Sequence, residues 1–372
     1  MKFLKFTLLG IIAFILLISV AGYFVLQQPQ FGQKPMGVNL EKIKESPQHN
    51  GKIFENAGNI EMDMTMSKFI EIMKAYMEDV QGKIPESLPI LHPDLNIIEN
   101  TSDTITALTW FGHSAFLLEM DGKKIVLDPM LGPAAAPFTF QVNRFSDDLP
   151  IGIEDLPKID AVIFSHDHYD HLDYHTIMRI KDRVSQYYVP LGLGSHLIHW
   201  GIEEEKIIEL DWWQEVSFDG IQLACTPSQH FSGRALNDRA STLWCSWVIE
   251  GKKSKVFFSG DSGYFPGFKK IGEKYGPFDL AMVECGQYNK LWHEIHMLPE
   301  ESAQAAVDLN AEIMMPIHWA MFELSLHPWK EPVERLSLKA AELNLPIFTP
   351  KIGERFTLGA ALSSESWWEN LN

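Results

Sequence analysis

Cysteine is scarce in this 372-residue chain: Cys225, Cys245 and Cys285 are the only three. They are too few and too scattered for a disulfide framework, and no CxxC pair offers a metal knuckle. They read instead as small buried apolar residues. Positive charge is the second shortage. Against 49 Asp and Glu stand 31 Lys and Arg, a net charge of −18. So acidic a chain lacks the basic footprint that a nucleic-acid backbone requires, and nucleic acid is excluded as a partner. Overall charge gives no attraction to anionic lipid heads either. No internal repeat or low-complexity tract is present, which excludes solenoid and fibrous architectures. With 46% apolar residues the chain can bury a large core, as one α/β domain or two.

One stretch lacks charge entirely. Lys2 and Lys5 precede an apolar run from Phe6 to Leu26. About 20 apolar residues suffice to span a bilayer as a helix. A cleaved signal would have a shorter apolar region and a small-residue cleavage site, of which "SVAG" at 19–22 is a loose version. Residues 1–26 therefore read first as a transmembrane anchor and second as a signal segment. The flanking lysines place the rest of the chain on the extracytoplasmic side of the cytoplasmic membrane, or in exported form if the segment is cleaved. Residues 27–100 are polar, Pro-punctuated and methionine-rich. They read as an N-terminal extension with one amphipathic helix near 64–80.

From Ile105 the pattern changes. "ITALTW", "SAFLLEM" and "KKIVLDP" are strand-like, the last two joined by an Asp121-Gly122 turn. "IDAVIFSH", "KIIELDWW", "IQLACTP", "TLWCSWVIE", "KVFFSGD", "FDLAMVECG" and "EIMMPIHWA" follow as further strands. Helices are expected near 174–184, 195–200, 266–275, 299–309 and 332–343, with Pro299 and two glutamates suiting a first helical turn. β-rich halves with interleaved helices predict an α/β fold layered as an αββα sandwich, over 101–360, with 361–372 as a tail.

The chemistry concentrates in "HDHYDH". His166 and His168 lie two apart, so extended backbone points both side chains the same way, and Asp170 and His171 follow in a turn. Buried imidazole and carboxylate at that density need compensation. Several imidazoles plus a carboxylate suit two metal ions sharing neighbours. Distant partners are available at strand ends: His230 in "TPSQH", Asp261 in "FSGDSG" and His318 in "MPIHW". Asp128, ending "KKIVLDP", is placed to orient a ligand rather than to bind metal. His113 in "WFGHS" has no spacing that pairs it with the metal set and reads as structural. Most of the tryptophans (Trp212, Trp213, Trp244, Trp247, Trp292, Trp319 and Trp329) read as core.

HxHxDH followed by distant His, Asp and His resembles the metallo-β-lactamase superfamily. "SHDHYDHLDY", "VPLGLG", "ELDWW", "TPSQH", "GPFDLA" and "PIHW" are similar to its N-acyl-phosphatidylethanolamine-hydrolysing phospholipase D branch, over about Thr106 to Pro350. The resemblance implies two Zn2+ ions. His166, His168 and His230 would hold one, Asp170, His171 and His318 the other, and Asp261 would bridge them. Three protein nitrogens on one ion leave a position for water. It further implies a phospholipid substrate, cut to N-acylethanolamine and phosphatidic acid as hydroxide held at the metals attacks phosphorus. His296, before "LPEES", takes the place of a non-ligand catalytic histidine, with Asp170 also in the catalytic set. "CGQYNKLWHE" departs from the branch's usual wording, which opens the substrate to question. The alternative on the same site is a lactonase or soluble phosphodiesterase. A non-catalytic binding module is disfavoured because no ligand is missing. A homodimer is compatible with the chain.

Overall fold

The computed structural model describes residues 2–58, 60, 65–78, 80–362 and 365–371. Met1, Met64, Asp79, and Ser363, Ser364 and Asn372 of the expected tail lie outside the described residues.

Thirteen strands are formed among the described residues. They are β1 (Ala107–Gly112), β2 (Ala115–Met120), β3 (Lys123–Leu127), β4 (Ile159–Ile163), β5 (Val184–Pro190), β6 (Ile207–Leu210) and β7 (Glu215–Phe218), then β8 (Ile221–Thr226), β9 (Ser246–Glu250), β10 (Lys255–Phe258), β11 (Leu280–Glu284), β12 (Met314–Ile317) and β13 (Arg355–Thr357). They build two sheets, ordered β13-β1-β2-β3-β4-β5-β6 and β12-β11-β10-β9-β8-β7. Within each sheet one run is parallel: β3 to β6 in the first, β10 to β12 in the second. Parallel strands bring their C-terminal ends to one edge, where loops carry function on a rigid frame.

Alternation along the strands explains the layering. In β10, Phe258 meets Phe116 of the first sheet, ring centroids 6.4 Å apart, while Phe257 meets Phe268 on the helix Gly267–Tyr275. Successive strand side chains point to opposite faces, so one faces the other sheet and the next faces a helix. On the first sheet Ile125, Leu127, Ala161 and Ile163 join the core between the sheets. Leu117, Val126 and Val162 pack instead with Ile177, Ile180 and Leu197 of the helices Tyr174–Ile180 and Gly194–His199. The helices Gly267–Tyr275 and Pro299–Asp308 lie against the second sheet, and Glu331–Leu343 packs on Pro299–Asp308. The result is the αββα sandwich.

Three local expectations shift. The run "TLWCSWVIE" pairs only from Ser246, because the backbone N–H groups of Leu243 and Cys245 donate to Leu191 and Ser165 of the first sheet's loops. The helix after the histidine motif stops at Ile180, and Val184 already begins β5, a strand the apolar pattern did not isolate. The short strand β7 was not expected either.

The first helix runs Lys2–Leu26, and its span Lys5–Leu26 is long and apolar enough to cross a membrane, with none of it buried against the protein. The extension does pack on the domain. Ile43 and Phe54 enter the inter-sheet core, Ile98 the outer one, and Phe54 N–H donates to Ala240 O. The expected amphipathic helix is Met66–Tyr76, capped by the Thr65 side chain accepting from Lys68 N–H.

Candidate metal centre

The strand ends converge. His113 follows β1, Asp128 follows β3, the 166–171 loop follows β4, Asp261 follows β10 and His318 follows β12, while His230 lies four residues beyond β8. His113, Asp128 and His318 all sit at positive φ, 53°, 36° and 67°. For residues with a Cβ this is a costly backbone state, which turns the chain sharply inward at each strand end. Gly260 also has positive φ, and a Cβ there would lie 2.5 Å from Ser165 Cβ, so a side chain would push Asp261 away from the loop.

Asp128 performs the orienting role expected of it. Its carboxylate accepts from Ser165 N–H at 2.8 Å and from His171 Nδ1 at 2.7 Å. With Nδ1 engaged, His171 presents Nε2 inward, 3.2 Å from Asp261 Oδ1 and 3.5 Å from Asp170 Oδ2. His230 is fixed the same way: Nδ1 donates to Ile295 O at 2.9 Å, leaving Nε2 beside His168 Nδ1 at 3.2 Å. Such partners behind a ligating imidazole set its tautomer and aim.

Two clusters result, each with donor atoms within 4.8 Å of one another. One is His166, His168, His230 and Asp261, and the other is His113, Asp170, His171 and His318. Asp261 lies between them. Its Oδ2 is 3.7 Å from both His166 Nε2 and His230 Nε2, and 3.1 Å from His318 Nε2. All seven residues singled out in the sequence as metal ligands are therefore brought together. Buried His166 Nε2 has no hydrogen-bond partner among the described residues, and His171 Nε2 and Asp261 Oδ1, though 3.2 Å apart, are not aligned for a hydrogen bond with each other or with any other described group. Orphaned polar atoms of this kind are rare and costly. Inward-aimed nitrogens and carboxylate oxygens are what a pair of divalent cations requires, so the residues present fit the metals.

The electrostatics agree. Burial disfavours charge on His171, yet Asp261, Asp170 and Asp128 overcome it and hold the imidazole well above its ordinary range. His318 is likewise pulled up to about 9 by Asp261 and Asp170 against its burial. Burial first, and the neighbouring imidazoles with it, push His166 and His230 far down against the pull of Asp261. Burial opposes charge on Asp170 and Asp261 as well, but the histidines, His171 first, hold both carboxyls far below the usual carboxylate range. The centre thus demands positive charge at the Asp170–Asp261 side and offers neutral nitrogens at the other.

Two residues were not assigned to this site from the sequence. His113 Nε2 lies 2.9 Å from Asp170 Oδ2, and its ring centroid is 4.2 Å from that of His318. The structural reading is corrected: His113 belongs to the centre, burial having pushed its imidazole down to about 3. Its place at a strand end was the missed signal. Glu284, the last residue of β11, is fully buried, accepts from Met297 N–H at 2.8 Å and meets His296 Nδ1 at 2.9 Å. A carboxylate inside the apolar run "FDLAMVECG" was the clue. Burial pushes its carboxyl up, against the pull of His296.

A pocket of about 340 Å³ opens over the cluster. Polar groups at its floor include His168, Asp170, Asp261, His296 and His318, and its walls include Ile72, Tyr76, Phe231, Leu291, Trp292 and Leu324. Trp292 is thus a wall residue, whereas Trp212, Trp244, Trp247, Trp319 and Trp329 are buried in the core.

Two facing sheets with a His/Asp cluster at their strand ends define a metal-dependent hydrolase. A profile described as the β-lactamase superfamily domain matches residues 123–319, and the chain belongs to this superfamily. It is 39% identical over 285 residues to an uncharacterized protein of Mycobacterium tuberculosis, covering 76% of each. It is 32% identical over 309 residues to N-acyl-phosphatidylethanolamine-hydrolyzing phospholipase D 1 of Caenorhabditis elegans, covering 78% of this chain and 87% of that one. Among solved structures, a metallo hydrolase of Ignicoccus hospitalis superposes with a TM-score of 0.53 at 23% identity, covering 69% of this chain and 99% of that one.

Proposed function

We propose that the protein is a zinc-dependent phosphodiesterase of phospholipase D type. Its substrates are N-acyl-phosphatidylethanolamine-like glycerophospholipids, and its products N-acylethanolamine and phosphatidic acid. The observation that carries this reading is the pocket: apolar walls suited to acyl chains, above a floor with the metal-ligand clusters. The likeness to the Caenorhabditis elegans phospholipase supports the same substrate class.

His166, His168 and His230 would hold one zinc and Asp170, His171 and His318 the second, with Asp261 facing both sets. Zinc held there would supply Lewis acidity and water activation for attack on phosphorus. The chain's own side chains do the rest. Lys68 and Arg239, on the pocket wall, face the phosphate with positive charge. His296 is placed between Glu284 and the pocket, where a non-ligand imidazole can donate a proton to the departing alkoxide. Glu284 holds its Nδ1, so Nε2 is the nitrogen free to face the substrate. Asp170, tied by His113, keeps its carboxylate toward the reacting face. The first helix anchors the domain to the cytoplasmic membrane, on its extracytoplasmic side.

The test is the atom attacked. Hydrolysis of N-acyl-phosphatidylethanolamine in heavy-oxygen water is expected to place the label in phosphatidic acid and none in the N-acylethanolamine. Label in a carboxylate with the phosphodiester left whole would show a lactonase or acyl hydrolase and overturn the proposal.

A further inference from the structure

The apolar helix ends at Leu26, and the next ordered turn, Pro29–Phe31, begins three residues later. That turn is built against the back of the loop carrying His166, His168, Asp170 and His171. Two separate sets of hydrogen bonds join them.

The first runs through His196. Gln33 N–H donates to His196 Nδ1 at 3.0 Å. A backbone N–H can only donate, so Nδ1 must accept and the proton must sit on Nε2. That nitrogen donates to Asp167 Oδ2 at 3.2 Å. Asp167, between His166 and His168, is fully buried and also accepts from Gly233 N–H at 2.7 Å and Thr242 Oγ1 at 2.9 Å. Gly32 makes the approach feasible. It has φ +67°, and a Cβ there would lie 2.1 Å from His196 Nδ1.

The second runs through Arg234, which is 4% exposed. Its guanidinium donates to the carbonyls of Asp167 at 2.6 Å and Leu172 at 2.8 Å, spanning the metal loop from one end to the other. It also donates to Gln30 O at 2.7 and 3.1 Å. Its planar fork suits such simultaneous contacts. The guanidinium lies 4.1 Å from the Tyr169 ring centroid, and Phe31 meets the same ring edge-on. Trp200 Nε1 closes the seam by donating to Pro29 O at 2.7 Å.

We infer that residues 29–33 form a strap that positions the metal-binding loop, with Gly32, His196 and Arg234 as its positioning residues. The metal-loop end of the domain consequently stands next to the exit of the apolar helix. Any cleavage within residues 1–26 leaves the strap in place. The inference rests on the loop being the zinc site, but not on the substrate.

The test uses the full chain in detergent micelles, loaded with zinc. It follows zinc transfer to a chromophoric chelator together with amide hydrogen exchange. Gly32→Ala is expected to speed zinc loss by roughly 10- to 100-fold, the range for partners that orient metal ligands. Exchange should rise at 166–172 while β9, β10 and β11 keep their protection. Gly51→Ala is the control: that glycine also has positive φ, +94°, but nothing lies within 4 Å of its added Cβ. It should change neither readout. Unchanged zinc loss and loop exchange in Gly32→Ala would overturn the strap. If exchange in that variant rises throughout the sheets, Arg234→Gln decides, and unaltered loop exchange there also overturns it. A parent protein that takes up no zinc defeats the metal assignment, while loop exchange still tests the strap.

Discussion

The two sheets furnish the metal centre in different ways. The first gives all four of its assigned ligands, His166, His168, Asp170 and His171, from one contiguous loop of six positions, with His113 after β1 set beside them. The second gives His230, Asp261 and His318, one residue from each of three strand-end loops, spread over 89 positions. A contiguous loop fixes its own spacing and needs only to be held from behind, by Asp128, Asp167 and Arg234. The dispersed ligands depend on sheet register, because β8 and β10 must end at the same edge before His230 and Asp261 can meet. The loop is therefore sensitive to its supports, and the dispersed set to the fold.

Asp261→Ala strikes where the two contributions join and should have the largest effect. Asp261 faces both clusters, so elemental analysis should find both zinc equivalents depleted and turnover at background. A full metal complement would remove Asp261 from the ligand set. Next comes His296→Ala, expected to keep its zinc but to lose roughly 100-fold in turnover as a proton donor is removed. Loss of metal in that variant would make His296 a ligand instead. Trp292→Ala removes an apolar wall and should raise KM for long-chain lipid by roughly 10-fold, from the transfer energy of an aromatic side chain. The kcat, and the hydrolysis of short soluble diesters, should not move. An equal loss on both substrates would place Trp292 in the chemistry rather than the wall.

The smallest signal concerns protons. Free of metal, His318 is drawn up to about 9 by Asp261 and Asp170, so it carries a proton at pH 7.5. A ligating imidazole must be neutral, so zinc uptake has to expel that proton. The sign follows: zinc affinity should fall as pH falls. Calorimetric titration at pH 7.5 in two buffers of different ionisation enthalpy should show net proton release. His171, held up by the same carboxylates, adds to that release, so identical heats in both buffers would count against both His171 and His318 as ligands.

Much of the fold was legible because its signals are local. Short apolar runs in "SAFLLEM" and "KKIVLDP", joined by a turn signal, specify strands, and both formed with the expected turn between them. The run "TLWCSWVIE" misled because apolar content does not reveal where a backbone finds its partners. Leu243 and Cys245 bond across to the other sheet's loops instead of extending β9. The histidine motif was legible for the reason strands are: spacing of two and the following turn are properties of neighbouring residues.

His113 and Glu284 illustrate the opposite case. His113 lies 57 positions from Asp170 and 205 from His318, so no local spacing could connect them. Only the meeting of the ends of β1 and β12 across the two sheets, with His318 N–H donating to His113 O, brings the rings together. Glu284 is one carboxylate in an apolar strand until β11 places it behind His296. Gln33 and His196 are 163 positions apart, yet their bond reaches the back of the metal loop. The sequence by itself determined the short apolar strand runs, the apolar first helix, and a six-residue loop dense in imidazole and carboxylate, all set by covalent neighbourhood. The tertiary structure decided which distant donors complete the centre and which groups brace the loop. Those choices depend on strand order and register, which bring residues far apart in the chain within hydrogen-bonding reach.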